Sequence, residues 1–379
     1  MTKVIAVVDA NDRHRHMVAE VLGNFYTVES YADDTNAIWK MHLTQPSLII
    51  VGQNTVGRSG VNFITDLRKE EGTGCVPTLL IVDSEDFRTF DAIHGAGITD
   101  FLVKPYQKSA LIAVVARQIN SKVEKSWLAL PPAQHKALEN TLCTLNGVAR
   151  NIANGENIGF DSISDLCGPI VSAVKSGQTH KIIHAVKNHD NYTYVHSLRV
   201  SILLTLFGQA IGLSTDLQMV LATGGLLHDA GKMAIPRATL NKIEKLTAED
   251  WQLMRGHVEK TQVMLGAIEH LPKGVMAIAV EHHERLDGSG YPKGLESAGL
   301  NQLSRMAGII DVFTALTDER PYRRALGAEV ALEMMVNNMD GLLDRRLILK
   351  FREILVESAG FSGGDDDGEG VKTKISEQA

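Results

Sequence analysis

Gly224-Gly-Leu-Leu-His-Asp-Ala-Gly-Lys-Met-Ala-Ile-Pro236 sets His228 and Asp229 side by side at the end of an apolar run. Two small residues of turn and Lys232 follow, and Pro236 stops the segment. Neighbouring residues on a helix point about 100° apart and do not normally share a partner. A metal centre standing off the helix end can still take both, above all if the carboxylate bridges two ions. Imidazole nitrogen with carboxylate oxygen suits borderline-hard divalent metals such as manganese or iron. By itself the pair reads more simply as a satisfied core histidine beside a helix-capping aspartate, so the decision rests on the rest of the chain.

The chain holds 14 histidines. His14, His16, His42, His94, His135, His180, His184, His189 and His270 lie in polar or irregular contexts. The other five repeat the opening pattern. His196 stands at the start of a long apolar helix, and His257 begins a helix after Arg255-Gly256. His282-His283 closes an apolar helix and runs into Glu284-Arg-Leu-Asp-Gly-Ser-Gly-Tyr-Pro-Lys-Gly294. Asp311 lies inside Ala307-Gly-Ile-Ile-Asp-Val-Phe313, where a charge is expensive unless paired or bound to metal. Each residue singly has an ordinary alternative: a surface histidine, or an aspartate paired with arginine. Jointly they point to helices converging on a metal centre. In the loop 284–294, Gly288, Gly290 and Gly294 allow tight or φ-positive turns. Glu284, Arg285 and Asp287 read either as residues that fix this loop and support the ligands or as a solvated charge run.

Helical periodicity dominates from Ser162 to a last segment near 342–358, with no strand alternation, so this part is expected to be all-α. The first 120 residues differ. Short apolar runs at Val4–Val8, Tyr26–Ser30, Leu48–Val51, Thr78–Val82 and Phe101–Val103 alternate with helical patterns. That alternation predicts a doubly wound parallel five-stranded sheet, with any ligand at the carboxyl ends of the strands. Between the two parts Pro131-Pro132 breaks a helix running toward Lys125, and Ala133–Ala153 reads as another. Gly363-Gly-Asp-Asp-Asp-Gly-Glu-Gly370 opens an acidic, glycine-rich tail expected to be disordered.

Composition bounds the partners. Net charge is −7 and pI about 6.1, so nothing asks for nucleic acid or an anionic membrane. Three separated cysteines, Cys75, Cys143 and Cys167, argue for a reducing compartment. No signal peptide is expected ahead of the first strand-like run, and no apolar stretch reaches the roughly 20 residues needed to span a bilayer. A cytoplasmic protein is expected.

The order and spacing of the N-terminal runs resemble the receiver domain of two-component response regulators: Val8-Asp9 ends the first strand and Lys104-Pro105 follows the fifth. The resemblance implies a flavodoxin-like fold but not the chemistry. Gly52 stands where a receiver carries its phosphorylated aspartate, so there is no phosphoacceptor. The acidic pair is reduced to Asp9-Ala10, and Val82 replaces the expected hydroxyl residue. Residues 1–121 are expected to be a pseudo-receiver, acting as a docking surface or holding a homodimer along Phe101–Asn120; the alternative is an inert leftover domain.

The order His196, His228-Asp229, His257, His282-His283, Asp311, with Gly290-Tyr291-Pro292 after the double histidine, resembles the HD-GYP domain. This is a branch of the HD metal-dependent phosphohydrolases whose members hydrolyse cyclic di-GMP. The resemblance covers roughly residues 160–358. It implies that His196, His228, Asp229, His257, His282, His283 and Asp311 are metal ligands, with Asp229 the bridge. It places phosphate-binding cations at Lys232, Arg320 and Arg323. Asp229 and Lys232 are the implied catalytic pair, and Tyr291 stacks on a guanine or a partner protein, or merely packs the loop. Some members carry a glutamate one turn before the first histidine and hold a third metal; Tyr192 occupies that position here, so a binuclear Fe or Mn centre is expected.

The implied organisation is a pseudo-receiver at 1–121, a helical connector at 122–160, an HD-GYP phosphohydrolase at 161–358 and an acidic tail at 359–379. The implied reaction is hydrolysis of cyclic di-GMP to pGpG, with GMP as a further product open, by hydroxide bridged between the metals. Another cyclic dinucleotide is one alternative substrate. A second alternative is a non-catalytic sensor or scaffold docking diguanylate cyclase (GGDEF) proteins through the loop 284–294. A third is a di-iron oxygenase. The complete ligand set with Lys232 favours hydrolysis over a scaffold, and Arg320 with Arg323 favours a phosphate substrate over oxygen chemistry.

Overall fold

The computed structural model describes residues 3–357 apart from 24, 71, 84–96, 154–157, 188, 190, 236, 241, 243–244, 246 and 319–324. Pro236, Arg320, Arg323 and the tail 359–379 therefore lie outside the described residues. The chain divides into two compact units, Met1–Lys125 and Ser126–Ala379.

In the first unit β1 (Val4–Val8), β2 (Thr27–Tyr31), β3 (Leu48–Gly52), β4 (Thr78–Val82) and β5 (Asp100–Val103) form one parallel sheet in the order β2-β1-β3-β4-β5. Alternate residues of each strand serve opposite faces. Ile5, Val7, Leu48, Ile50, Leu79 and Ile81 pack under α1 (Asp12–Gly23) and the later helix Lys108–Ser126. Ala6, Val8, Ile49, Val51, Leu80 and Val82 face α2 (Asp34–Thr44) and α3 (Gly60–Leu67). With both faces covered, the strands read as continuous apolar runs, which made them visible in sequence. The second strand runs one residue later than the expected Tyr26–Ser30. The Tyr26 amide still bonds the Leu22 carbonyl at the end of α1, while Tyr31 pairs with Val8.

The carboxyl ends of these strands hold a closed polar network. A Cβ on Gly52 would stand 2.4 Å from Asp9 Cγ, so the Asp9 carboxylate fills the space a side chain at position 52 would need. Asp9 Oδ1 accepts from the Asn11 amide at 2.8 Å, and Asp9 Oδ2 lies 2.5 Å from His14 Nδ1. His14 Nε2 in turn lies 2.5 Å from the Tyr106 hydroxyl. His14 is thus a half-buried bridge between Asp9 and Tyr106, where its polar sequence context gave no sign of a partner. Lys104 Nζ is 2.9 Å from Asp83 Oδ1.

The second unit contains α4 (Pro132–Ala153), α5 (Phe160–Lys175), α6 (Thr179–Val186), α7 (Tyr192–Ala210) and α8 (Thr215–Leu227). α9 (Ala248–Arg255), α10 (His257–Gly266), α11 (Lys273–Glu281), α12 (Gln302–Thr317), α13 (Ala328–Asn338) and α14 (Arg345–Glu357) follow. Pro132 takes the first position of α4, where its missing N–H costs nothing. This helix, assigned by sequence to a connector, bonds within the second unit: the Tyr194 hydroxyl donates to the Leu138 carbonyl at 3.0 Å. α7 and α12 are apolar nearly all round and form the centre of the unit, with Phe207, Phe313 and Phe351 packed together. His189, expected to be unremarkable, is buried and stacked on Trp127. One departure from an all-helical unit is a short parallel pairing of Ile158–Gly159 with Ile268–Glu269, just after the end of α10. Among the described residues no helix is long and apolar enough to cross a membrane.

The filled pocket generates a prediction. Acetyl phosphate should leave no acyl-phosphate adduct on the full chain, and Gly52→Asp should not restore one, because Asp9 already occupies the space. Intact-mass spectrometry checks both; a stable adduct on either protein would overturn this reading of the pocket.

Candidate metal centre

The site is built from helix ends. α8 closes at Leu227, His228 is its cap residue, and Asp229 has left the helix at φ −101°, ψ 12°. That break turns two adjacent side chains toward one point, which an unbroken helix would not do. His257 is the first residue of α10, and His282-His283 follow directly on α11. His196 lies in the second turn of α7. Asp311 alone comes from a helix interior, midway along α12.

The turn Ala230–Ala234 that follows Asp229 is pressed against the start of α10. A Cβ on Gly231 would meet the His257 carbonyl oxygen at 2.1 Å, so only glycine fits. The Gly231 amide donates to Thr261 Oγ1 at 2.9 Å, and that hydroxyl donates to the His228 carbonyl at 3.2 Å. Thr261, fully buried, therefore locks two histidine-bearing segments together. Sequence reading missed it because an isolated threonine in a helix carries no signal.

All seven residues proposed from sequence as ligands come together. Asp229 is central: its Oδ2 lies 3.3 Å from His228 Nε2 and 3.8 Å from His196 Nε2, and its Oδ1 lies 3.2 Å from His257 Nε2 and 4.0 Å from His282 Nε2. Asp311 Oδ1 is 3.0 Å from His196 Nε2, and Asp311 Oδ2 is 3.9 Å from His283 Nδ1. Three groupings have ligand atoms mutually within 4.8 Å: His257-His282-His283, His196-His228-Asp311 and His228-Asp229-His282. Lys232 Nζ lies on Asp229 Oδ2 at 2.6 Å.

The fit to a cation shows in what these atoms lack. His228 Nε2, His257 Nε2, His282 Nε2 and Asp229 Oδ1 are buried with no hydrogen-bond partner. Buried polar atoms are rarely left so, and these all face the same small space. Their outer nitrogens are occupied: His228, His257 and His282 each donate Nδ1–H to the carbonyl three residues back, at 2.8, 2.6 and 3.0 Å. The lone pairs therefore point inward. Burial, then the charge of His228, pushes His282 down to about 3, and burial likewise lowers His196 and His283. Burial alone would lower His228 too, but the Asp229 and Asp311 carboxylates hold it at about 10. Against burial, the surrounding imidazoles hold Asp311 well below the usual carboxylate range, and His228 with Lys232 does the same for Asp229. Ionised carboxylates beside imidazoles are the donor set a divalent metal takes, and a metal binding here would displace the proton that the carboxylates hold on His228.

The loop after the double histidine is fixed from inside. Buried Glu284 accepts the amides of Lys293 at 2.7 Å and Leu295 at 2.9 Å, and the Tyr291 amide donates to the His283 carbonyl at 3.3 Å. Gly288 and Gly294 have positive φ, whereas Gly290 is required by proximity, since its Cβ would stand 2.4 Å from the Arg285 nitrogen. Arg285 donates to the His282 carbonyl at 3.2 Å, and exposed Asp287 accepts from Ser289. The Tyr291 ring is stacked on His283 at 4.7 Å, with the Arg255 guanidinium 5.2 Å from its centroid, and Pro292 completes the turn. Tyr192, at the position of the third-metal glutamate, is stacked on His196. Sequence reading also passed over Asp318, a buried carboxylate 3.0 Å from His196 Nδ1.

This geometry agrees with comparison to known proteins. A family described as "HD domain" matches residues 181–347, and one described as "Response regulator receiver domain" matches residues 5–116. The chain joins a receiver domain to an HD domain. Cyclic di-GMP phosphodiesterase PA4108 of Pseudomonas aeruginosa is 35% identical over 187 residues, which are 49% of this chain and 45% of that protein. Cyclic di-GMP phosphodiesterase response regulator RpfG of Xanthomonas campestris pv. campestris is 27% identical over 341 residues, covering 88% of this chain and 82% of the relative. 3'3'-cGAMP-specific phosphodiesterase 3 of Vibrio cholerae is 32% identical over 164 residues, 43% of this chain and 35% of the relative. The chain thus spans less than half the length of the first and third of these relatives. A solved HDG"Y"P protein from Bdellovibrio bacteriovorus shares the fold, with a TM-score of 0.50 at 20% identity over 65% of this chain and 80% of that one.

Two outcomes are expected of variants here. Asp229→Ala should lose bound divalent metal, measured by elemental analysis, while its helical circular dichroism is retained; unchanged metal content would remove Asp229 from the centre. Gly231→Ala should lower unfolding stability by about 1–3 kcal/mol, the usual cost of overpacking, in urea titration; an unchanged midpoint would show that the turn yields freely.

Proposed function

We propose that this protein is a metal-dependent phosphodiesterase that hydrolyses cyclic di-GMP to pGpG, with GMP as the product of a second hydrolysis. The observation that carries this reading is the convergence of partnerless imidazole nitrogens on Asp229, in an HD domain similar to phosphodiesterases of cyclic dinucleotides. We assign a binuclear Fe or Mn centre to His196, His228, Asp229, His257, His282, His283 and Asp311. Its support is that the two oxygens of Asp229 face different histidine groups, as a bridging carboxylate requires. Bound divalent ions supply Lewis acidity, polarising the phosphoryl group and making a nearby water acidic at neutral pH.

The chain's own residues do the rest. Asp229 fixes the spacing between the two halves of the centre. Lys232, already on Asp229, places a positive charge where negative charge builds up on the phosphoryl oxygens. Hydrolysis of one phosphodiester consumes one water and leaves a 3'-hydroxyl and a 5'-phosphate. Arg320 and Arg323, three apart in sequence and two and five positions after Asp318, are assigned to the second phosphate of the substrate. Tyr291, its ring held by His283 and Arg255, is assigned to stacking on a guanine of the substrate. The exposed part of the loop 284–294 is assigned to diguanylate cyclase docking, and the Phe101–Asn120 side of the receiver to self-association. Three separated free cysteines support a cytoplasmic setting.

The test is product chromatography with cyclic di-GMP and 3'3'-cGAMP. pGpG should accumulate from the first substrate; turnover of 3'3'-cGAMP alone would redirect the assignment to that nucleotide. Arg320→Ala with Arg323→Ala should cost on the order of a hundredfold on cyclic di-GMP, two charged contacts at about 1.5 kcal/mol each. A small chromogenic phosphodiester lacks the second phosphate and should be turned over nearly as before; equal losses on both substrates would place the arginines elsewhere.

A further inference from the structure

Three histidines of the centre are held from behind by a neutral carbonyl one turn earlier in their own chain: Gly225, Met254 and Ala279. His196 is held differently. Its Nδ1 lies 3.0 Å from Oδ2 of Asp318, a residue 122 positions away and 4% exposed. The other Asp318 oxygen meets the Arg199 guanidinium. Arg199 is itself fixed, donating to Thr317 Oγ1 at 3.1 Å and to the Thr317 carbonyl at 3.4 Å. It is largely buried, and burial lowers its pKa to about 10.

The arrangement has a chemical and a mechanical consequence. A carboxylate behind an imidazole accepts the Nδ1 proton, fixes the tautomer with Nε2 facing inward, and makes that nitrogen a stronger donor than a carbonyl partner does. Arg199 stands one turn after His196 on α7, and Asp318 caps α12, two turns after Asp311. The Arg199–Asp318 pair therefore clamps the two helices that carry His196 and Asp311, whose ligand atoms are 3.0 Å apart.

We propose that Asp318, held by Arg199, is a positioning residue that sets the metal affinity of the half-site formed by His196, His228 and Asp311. This rests on the metal-centre reading above. It assigns to Asp318 the role that backbone carbonyls play for the other histidines, with a full negative charge added.

The test is calorimetric titration of the metal-stripped full chain with Mn²⁺, alongside its thermal melt. Asp318→Asn keeps the shape and removes the charge; it should weaken Mn²⁺ binding by roughly 10–100-fold, the range found for outer partners of metal-ligating histidines. Asp318→Ala strands the Arg199 charge in the interior, so the decisive variant is Asp318→Asn combined with Arg199→Gln. That protein loses both charges together and should show the same weakening with its metal-free melting temperature largely kept. In a His196→Ala background the Asp318→Asn change should add nothing. Wild-type affinity in the charge-free pair would overturn the proposal, as would an undiminished Asp318→Asn effect without His196. A wild-type chain that binds no Mn²⁺ would overturn the metal centre itself, an outcome distinct from either.

Discussion

Burying a carboxylate costs several kcal/mol unless its charge is balanced, and two of those the helical domain buries, Asp229 and Asp311, stand together at 1% and 7% exposure with Lys232 on the first. Around them stand five imidazoles whose inward nitrogens face one another and the carboxylates. Such a cluster repels itself wherever it is protonated and leaves orphaned lone pairs wherever it is not. A divalent cation resolves both problems at once, since it takes the lone pairs and balances the carboxylates. The rest of the domain follows from holding that cluster: apolar helices on every side, ends rather than middles directed inward, and outer nitrogens tied down so that the inner ones cannot turn away.

Helix ends serve this purpose for a geometric reason. Within a helix, adjacent side chains diverge, so His228 with Asp229, and His282 with His283, can converge only where the helix stops. Stopping a helix in an apolar interior leaves backbone groups to satisfy. Thr261, Gly231, Glu284 and Arg285 do that work, with hydrogen bonds that also fix the spacing between ligand-bearing segments. Asp318 and Arg199 extend the same logic to the entrance of α7.

The receiver domain meets the opposite condition. Its fold depends on apolar strands covered on both faces, to which Val82 contributes and Asp9 and Gly52 at the strand ends do not. At position 52 a glycine stands, and the Asp9 carboxylate occupies the space a side chain there would need. His14 links that carboxylate to the Tyr106 hydroxyl, so these polar groups meet at the strand ends without entering the apolar faces of the sheet.

The residue types and their order along the chain were enough to read both fold classes, the strands to within a residue and the seven clustered side chains, because these depend on periodicity and on charges standing in apolar runs. What sequence could not decide was pairing across distance. His14 with Tyr106, Thr261 with the His228 carbonyl, and Asp318 with His196 are each unremarkable locally; only packing brings them together. The two oxygens of Asp229 face different histidines for the same reason. Local propensity fixes where helices start and stop, but which buried atom finds which partner is set by how those helices are packed in three dimensions.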